Sequence, residues 1–191
     1  MAERNFIMKK NTIKRTIAMV SAVSAIFVTN LTSYAGGMEC PIGSSANINI
    51  TNAISDSIIN GNLNVKNKVG AAAFDTNAAI TNILNGSLVN GNVNFTNKAN
   101  IAGYNVTNAM SNVMNNSIVN GNLSIDNVAK LSGKNITAAQ ANIITNYLGN
   151  GTIDINNIML TFGSYADFNA AIQNVLQNAV SQDVSISNFA K

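Results

Sequence analysis

The chain has 191 residues, enough for one domain or two small ones, and 36 of them are asparagine against 19 charged residues. It contains no histidine and a single cysteine. Without histidine, neither a Ser/His nor a Cys/His nucleophile can be built. The carboxylates fall at different positions of the repeat described below, so neither an acid–base pair nor a calcium cage is indicated. We therefore expect that the protein is not an enzyme and uses no cofactor and no metal.

The N-terminal segment has the features of a secretory signal peptide. Residues 8–15 are basic, residues 17–28 are apolar, and small residues lie at both ends of the triplet 33–35. The apolar run is well short of the roughly 20 residues that a membrane span needs, so no stable membrane span is expected. We predict a leader over residues 1–35 that is cleaved after Ala35, and a protein secreted to the extracellular space or the cell surface.

Loss of this leader would change the charge of the protein. Five of the 11 Lys and Arg and one of the 8 Asp and Glu precede Gly36, which leaves six cations and seven anions, a net charge of −1. A chain with this balance has no basic patch to attract nucleic acid, which is therefore not an expected partner.

Residues 36–45 are predicted to be a linker, because they contain three glycines and the only proline. The linker also holds Cys40. Glu39 stands directly before it, where a lipid-attachment motif has a small residue. Cys40 is interpreted as a tolerated thiol, and a disulfide between subunits is left open.

A 30-residue repeat follows. The segment that starts with Asn60-Gly61-Asn62 returns at residues 90, 120 and, in a modified form, 150. A fixed period of this size indicates one structural unit per repeat, stacked on its neighbours. Behind each Asn-Gly pair, apolar and polar residues alternate as in a half-buried strand. The predicted core columns are Leu63, Val93, Leu123 and Ile153, and Val65, Phe95, Ile125 and Ile155.

Asparagine columns accompany the core columns, and stacked side-chain amides can donate and accept along such columns. Two such columns are predicted to form ladders, one beginning at Asn60 and the other at Asn67. The column that begins at Asn67 is interpreted as a corner of the coil. Glycines at positions 103, 133 and 163 predict a second tight turn in each repeat. The predicted ladder residues are Asn60, Asn90, Asn120 and Asn150, and Asn67, Asn97, Asn127 and Asn157.

The segment before each Asn-Gly strand is harder to assign. In residues 76–86, Ile80, Ile83 and Leu84 have helical spacing, but every second residue also repeats from copy to copy. The asparagine-rich composition is poor for helix, so strand or irregular structure is favoured over a short helix. A leucine-rich repeat is the main alternative, but its ladder asparagine would fall one residue later than observed.

The pattern changes after residue 164. Phe168, Ile172, Val175 and Leu176 lie at helical spacing, which predicts an amphipathic helix over residues 166–180 that caps the stack. The predicted fold is therefore all-β. It is a β-solenoid of about four 30-residue coils over residues 46–164 with Asn ladders, followed by a helix and tail over residues 165–191.

The repeats also carry a resemblance. The motif Gly61-Asn62-x-x-Val65 followed by Asn77-Ala78-Ala79 resembles repeats of secreted bacterial functional-amyloid subunits, of the Fap type and more loosely of curli. The chain departs from these families in its few glutamines and its lack of a C-terminal Cys-x-x-Cys pair. The resemblance implies export, polymerisation at the cell surface and a place in a biofilm matrix.

The expected function is that of a secreted, self-assembling structural protein that forms amyloid-like fibres. Its main partner would then be further copies of itself, and a secretion or nucleation partner is left open. Two other functions remain as alternatives. The first is a monomeric β-solenoid surface binding module or adhesin. The second is an ice-binding solenoid, although regular Thr-x-Thr rows are absent from the sequence.

Overall fold

The computed structural model describes residues 12–17, 30–35, 45–163 and 167–191, and in these ranges the chain is built from strands and tight turns. The linker residues 36–44 with Cys40, and most of the predicted leader, lie outside the described residues. The strands are β1 (Thr12–Ile17), β2 (Asn30–Ala35), β3 (Ser45–Ser55), β4 (Ile58–Ile59), β5 (Leu63–Ala72), β6 (Asp75–Asn85), β7 (Leu88–Val89), β8 (Val93–Ala102), β9 (Asn105–Asn115), β10 (Ile118–Val119), β11 (Leu123–Ser132), β12 (Asn135–Gly149), β13 (Thr152–Phe162), β14 (Asp167–Val180) and β15 (Asp183–Ala190).

The chain forms a β-solenoid of about five coils. Each of the first three coils has a long strand, a tight turn, a two-residue strand, an Asn-Gly corner and a second long strand. Coil 1 contains β3 to β5, coil 2 contains β6 to β8, and coil 3 contains β9 to β11. In coil 4 the strand β12 continues along the short side before β13 begins. Coil 5 consists of β14 and β15.

Equivalent strands of successive coils pair in parallel and in register, which builds two sheets. The first sheet contains β1, β3, β6, β9, β12 and β14, together with the short strands β4, β7 and β10. The second sheet has the order β2, β5, β8, β11, β13, β15. Within coils 1 to 4 each residue pairs with the residue 30 positions later, such as Asn52 with Asn82 and Val65 with Phe95. The segments before the Asn-Gly corners are therefore strands, as favoured from the sequence, and not short helices.

Two apolar clusters fill the space between the sheets. One is built around Ile50, Ile80 and Ile101, and the other around Leu84, Leu123 and Tyr147. All eight predicted core residues lie in the second cluster, and each has at most 2% of its surface exposed. A column of buried asparagines from each sheet lies between the clusters, as described below.

A left-handed turn residue links each long strand of the first sheet to the short side. Four of these residues have φ between 50° and 53°, and the glycine among them has φ 60°. Asn, Asp and Gly are the residues that tolerate this conformation best, which explains why the column contains only these three types. The column consists of Asp56, Gly86, Asn116, Asn146 and Asn178.

The glycines at the corners are required by close stacking. A Cβ on Gly91 would lie 2.5 Å from the carbonyl oxygen of Gly61, and a Cβ on Gly133 would lie 2.6 Å from that of Gly103. No side chain fits where two coils approach so closely. The predicted bends at residues 103 and 133 are thus present, but their glycines make room for the neighbouring coil and have no left-handed backbone.

The predicted C-terminal helix is wrong. Residues 167–180 form strand β14 and residues 183–190 form β15, so a further coil continues the stack. Phe168, Ile172 and Leu176 are spaced by four, which fits one face of a helix but also one face of a strand, because four is a multiple of two, whereas Val175 falls on the other face of the strand. Phe168, Ile172 and Leu176 in fact continue columns of coil 4. The step to this coil is 32 residues in the first sheet and 31 in the second, so the 30-residue spacing of the sequence does not extend into it.

Candidate functional site

Two columns of buried asparagine side chains run along the axis of the solenoid, one from each sheet. Within a column, each Nδ2 donates to Oδ1 of the asparagine in the next coil at 2.7–2.9 Å. We call the pair of columns the central ladder. It consists of Asn52, Asn82, Asn112, Asn142 and Asn174 of the first sheet, and Asn67, Asn97, Asn127, Asn157 and Asn188 of the second.

The two columns of the central ladder are also bonded to each other. Nδ2 of Asn82 donates to Oδ1 of Asn97 at 2.9 Å, and Nδ2 of Asn97 donates to Oδ1 of Asn112 at 3.0 Å. The same zigzag runs from Asn52 to Asn188. Each interior amide therefore donates twice and accepts twice, so a polar stripe is satisfied inside the core. Because every Nδ2 points towards coil 5, the central ladder has a direction.

A second ladder runs along the exposed Asn-Gly corner. Nδ2 of Asn90 donates to Asn60 at 2.7 Å, Asn120 donates to Asn90 at 2.8 Å, and Asn150 donates to Asn120 at 3.2 Å. These donors point towards coil 1, opposite to the central ladder. Since their side chains are exposed to water, each bond stabilises the stack less than a buried one would.

The two predicted ladder columns thus occupy different environments. The column of Asn60 lies at a corner, whereas the column of Asn67 lies inside the long strands of the second sheet and faces the core, which corrects its interpretation as a corner. Parity was the available signal, because Asn67 is an even number of residues from Leu63 and Val65 and so shares their face. Asn174 and Asn188 were missed because of the longer step to coil 5.

The outer edge of coil 5 has no partner strand among the described residues. β14 pairs only with β12 and β15 only with β13. Val184 and Ile186 are 45% and 43% exposed, although they continue the columns of Ile153 and Ile155, which are fully buried. We call this edge of β14 and β15 the C-terminal edge. It presents open backbone groups together with half-covered core residues.

The amide of Asn188 completes the C-terminal edge. Its Oδ1 accepts from both Asn157 and Asn174, and its Nδ2 has no acceptor in the described part of the chain. The central ladder therefore ends on N–H donors that point out of coil 5.

Side-chain charge differs between the two ends of the stack. Coil 1 carries Lys66, Lys68 and Asp56, a net charge of +1, and the segment 167–191 carries Asp167, Asp183 and Lys191, a net charge of −1. The two ends therefore attract each other more than either attracts its own kind.

Outside the ladders, three buried side chains have polar atoms without a hydrogen-bond partner, and one of these atoms is Oε1 of Gln140. Both amide atoms of Asn108 lack a hydrogen-bond partner, as does the hydroxyl of Tyr147. Burial raises the pKa of Tyr147 to about 12. Within the part of the chain that the structure describes, none of the three lies in a cluster of acids, bases or nucleophiles.

Across the described residues, no group of His, Cys, Asp and Glu could hold a metal ion. The described residues also contain no helix that is long and apolar enough to cross a membrane. Comparisons with the models of known protein families, with curated proteins and with solved structures each found no match. The candidate site is therefore defined by geometry alone, as the C-terminal edge and the central ladder that ends on it.

Proposed function

We propose that this chain is a secreted structural protein that assembles end to end into extracellular fibres. The observation that carries the proposal is the C-terminal edge, which leaves strand backbone, core columns and ladder donors uncovered. Natural β-proteins protect such an edge with lysine, proline or a covering segment, because an open edge adds further strands. β15 contains no proline, and its single charged residue is Asp183 at the first position.

A second copy of the chain has the columns that this edge would receive. If the 30-residue columns continued across the joint, Ile172 would stack on Ile50 of the next copy, and Val184 on Leu63. The joint would then repeat the contacts that already hold coil to coil, including the burial of apolar side chains at about 25 cal/mol per Å².

The direction of the central ladder and the end charges favour a head-to-tail joint. Nδ2 of Asn188 would face the Asn67 column of the next copy, so donors would meet acceptors. The net charge of −1 at one end would meet the net charge of +1 at the other. A joint between unlike surfaces leaves a free surface of each kind, and because the joint here would continue the axis of the stack, repeated addition makes a filament.

The extracellular location of the proposed fibre is inferred from the sequence. The leader motif over residues 1–35 supports export, and the resemblance to functional-amyloid subunits supports a place at the cell surface or in a biofilm matrix. In this proposal the protein acts by its mechanical continuity and has no catalytic role.

Electron microscopy and sedimentation of the processed chain, residues 36–191, test the proposal. Fibres are expected to form at neutral pH after a lag, with a parallel cross-β spacing near 4.8 Å. Ile186→Lys is expected to abolish growth, because it puts a charge into a core column at the joint. Ser185→Lys is the matched control. Ser185 lies on the outer face of the same strand, continuing the column of Asp154, so fibres are expected to persist. A processed chain that stays monomeric at high concentration would refute the proposal and favour a surface binding module.

A further inference from the structure

We infer that the leader strands β1 and β2 occupy the edge of coil 1 on which the next copy would dock, so that removal of the leader opens this edge for assembly. The inference rests on the proposed function, since it concerns the other partner of the same joint. It assigns to residues 12–35 a role in controlling polymerisation besides the role of an export signal.

The backbone pairing carries the inference. β1 pairs in parallel with β3, with Thr12 opposite Ser45 at one end and Ile17 opposite Ile50 at the other. β2 pairs in parallel with β5, with Asn30 opposite Asn64 at one end and Ala35 opposite Val69 at the other. These are the outer edges of coil 1, which we call the N-terminal edge. β1 and β2 thus form a partial coil in front of coil 1, and along residues 45–50 and 64–69 they occupy backbone groups that another copy would need.

The predicted cleavage position coincides with the end of this partial coil. Ala35 is the last residue of β2 and also the last residue of the predicted leader. A single cut after Ala35 therefore separates both covering strands from the solenoid. Hydrolysis consumes one water and converts the Ala35–Gly36 peptide bond into a carboxylate on Ala35 and an amine on Gly36. A signal peptidase would supply the catalysis, and no oxidant or cofactor is involved.

At two positions the residue that the leader places in register differs from the residue that a second copy would place there. It places Arg15 opposite Ile48, a member of a buried column, whereas β14 of another copy would place Ala170 there. It places Ser33 opposite Asn67, whereas another copy would place Asn188 there and extend the central ladder. The leader is therefore matched along the backbone but breaks the columns at these two positions, and its covalent tether helps to hold it on the edge.

The tether is what makes the cover effective. A segment joined by a short linker has an effective concentration of the order of 1 mM, so a second copy at about 10 µM is outcompeted about 100-fold by the tether alone. After the cut, the leader strands are held by pairing alone and become dilute once they dissociate. A second copy, which would place Ala170 opposite Ile48 and Asn188 opposite Asn67, then has the advantage.

The first test starts from the full chain. A site for a specific protease is placed in the linker 36–44, and the purified chain is followed by light scattering before and after cutting. At about 10 µM the uncut chain is expected to form fibres more slowly than the cut chain, by up to about 100-fold. Equal rates of assembly before and after the cut would overturn the inference. A synthetic peptide of residues 12–35 added in excess is expected to slow the growth of the cut chain, and a scrambled peptide is not.

The second test isolates one joint. The uncut chain has an occupied N-terminal edge and an open C-terminal edge. A cut chain with Ile186→Pro has the converse. In a parallel strand, the N–H groups of successive residues point alternately to the two neighbouring strands. In β15 and the residue after it, the N–H of Lys191 donates to the carbonyl oxygen of Met159 on the β13 side. The N–H of Val184 donates instead to Oδ1 of Asp183, on the side away from β13. The N–H of residue 186 is therefore on the open side, and proline removes it without breaking a bond to β13.

Neither variant is expected to polymerise alone, and a mixture of the two is expected to give a discrete 1:1 dimer in sedimentation velocity. Val184→Lys serves as a second blocking variant that keeps every backbone N–H. The inference would be overturned, and the proposed function would stand, if the cut wild-type chain formed fibres but the uncut chain formed a dimer with neither the cut Ile186→Pro chain nor the cut Val184→Lys chain. A cut wild-type chain that stays monomeric would overturn both.

Discussion

The ring of Tyr147 fills the space that a side chain on Gly149 would need: a Cβ on Gly149 would lie 2.6 Å from both Cε1 and the hydroxyl oxygen of Tyr147. In the first three coils the position of Tyr147 is held by a small serine, and the position of Gly149 by isoleucine or valine. Coil 4 thus exchanges a small and a large residue between two neighbouring columns, which keeps the interior filled. The serines are Ser57, Ser87 and Ser117, and the aliphatic residues are Ile59, Val89 and Val119.

This compensation predicts strong coupling between the two residues. Gly149→Val alone should destabilise the protein by about 1–3 kcal/mol through overpacking. Tyr147→Ser alone should destabilise it by about 3 kcal/mol or more, because it leaves a cavity. The double variant restores the pair found in the other coils and should cost less than either single change. Denaturant unfolding in a double-mutant cycle measures the coupling, and additive effects would contradict the packing described here.

The buried hydroxyl of Tyr147 predicts an alkaline limit of stability. Its pKa is about 12 in the folded protein and about 10 when exposed, so the unfolded chain loses this proton first as the pH rises. The contribution is fully present below pH 10 and is lost between about pH 10 and 12, by about 3 kcal/mol in all. Unfolding of wild type and Tyr147→Phe at pH 8 and pH 11 tests this. The phenylalanine variant should lack this part of the pH dependence, and identical pH profiles would refute the assignment.

Asn108 and Asn112 allow a comparison on one strand. Both are buried in β9, but Asn108 has no hydrogen-bond partner and lies between Ala78 and Ala138 in its column, whereas Asn112 is part of the central ladder. Asn108→Ala should stabilise the protein by about 1 kcal/mol, because an unpaired amide is removed. Asn112→Ala should destabilise it by about 1–3 kcal/mol, because it leaves neighbouring amides unpaired. Thermal melts of both variants test the ladder, and equal shifts would contradict it.

Deletions test the period of the stack. Removing residues 68–97 takes out one whole coil and joins Asn67 to Lys98, so every column stays continuous. Removing residues 68–82 joins Asn67 to Ile83, which carries the chain from the second sheet directly into the first. We expect the longer deletion to keep a β-type circular dichroism spectrum with lower stability, since one coil interface is lost. The shorter deletion should be disordered. Better tolerance of the shorter deletion would contradict the coil assignment.

The fold class and much of the core were accessible from sequence because both depend on local regularities. Alternation with period two places Leu63 and Val65 on one face of a strand, and the 30-residue step stacks them on Val93 and Phe95. Neither argument needs to know which other segment lies across the core. For the same reason the sequence favoured strand over helix before each Asn-Gly corner.

The central ladder depended on the tertiary structure. A column of asparagines on an apolar face can mark a corner or a buried network, and the choice depends on what lies opposite. Here the columns of Asn67 and Asn82 face each other across the core, and each supplies the hydrogen bonds that make burial of the other tolerable. That pairing joins two sheets and is invisible in the pattern of either one.

Coil 5 was decided in the same way. Spacing by four residues at Phe168, Ile172 and Leu176 fits helix and strand equally well. The strand is selected by the tertiary structure, because β14 pairs with the edge of β12 and Asn174 accepts a hydrogen bond from Asn142. As a strand, coil 5 covers Ile144, Ile153 and Ile155 and accepts the bond from the amide of Asn142, while the open edge moves outward to β14 and β15.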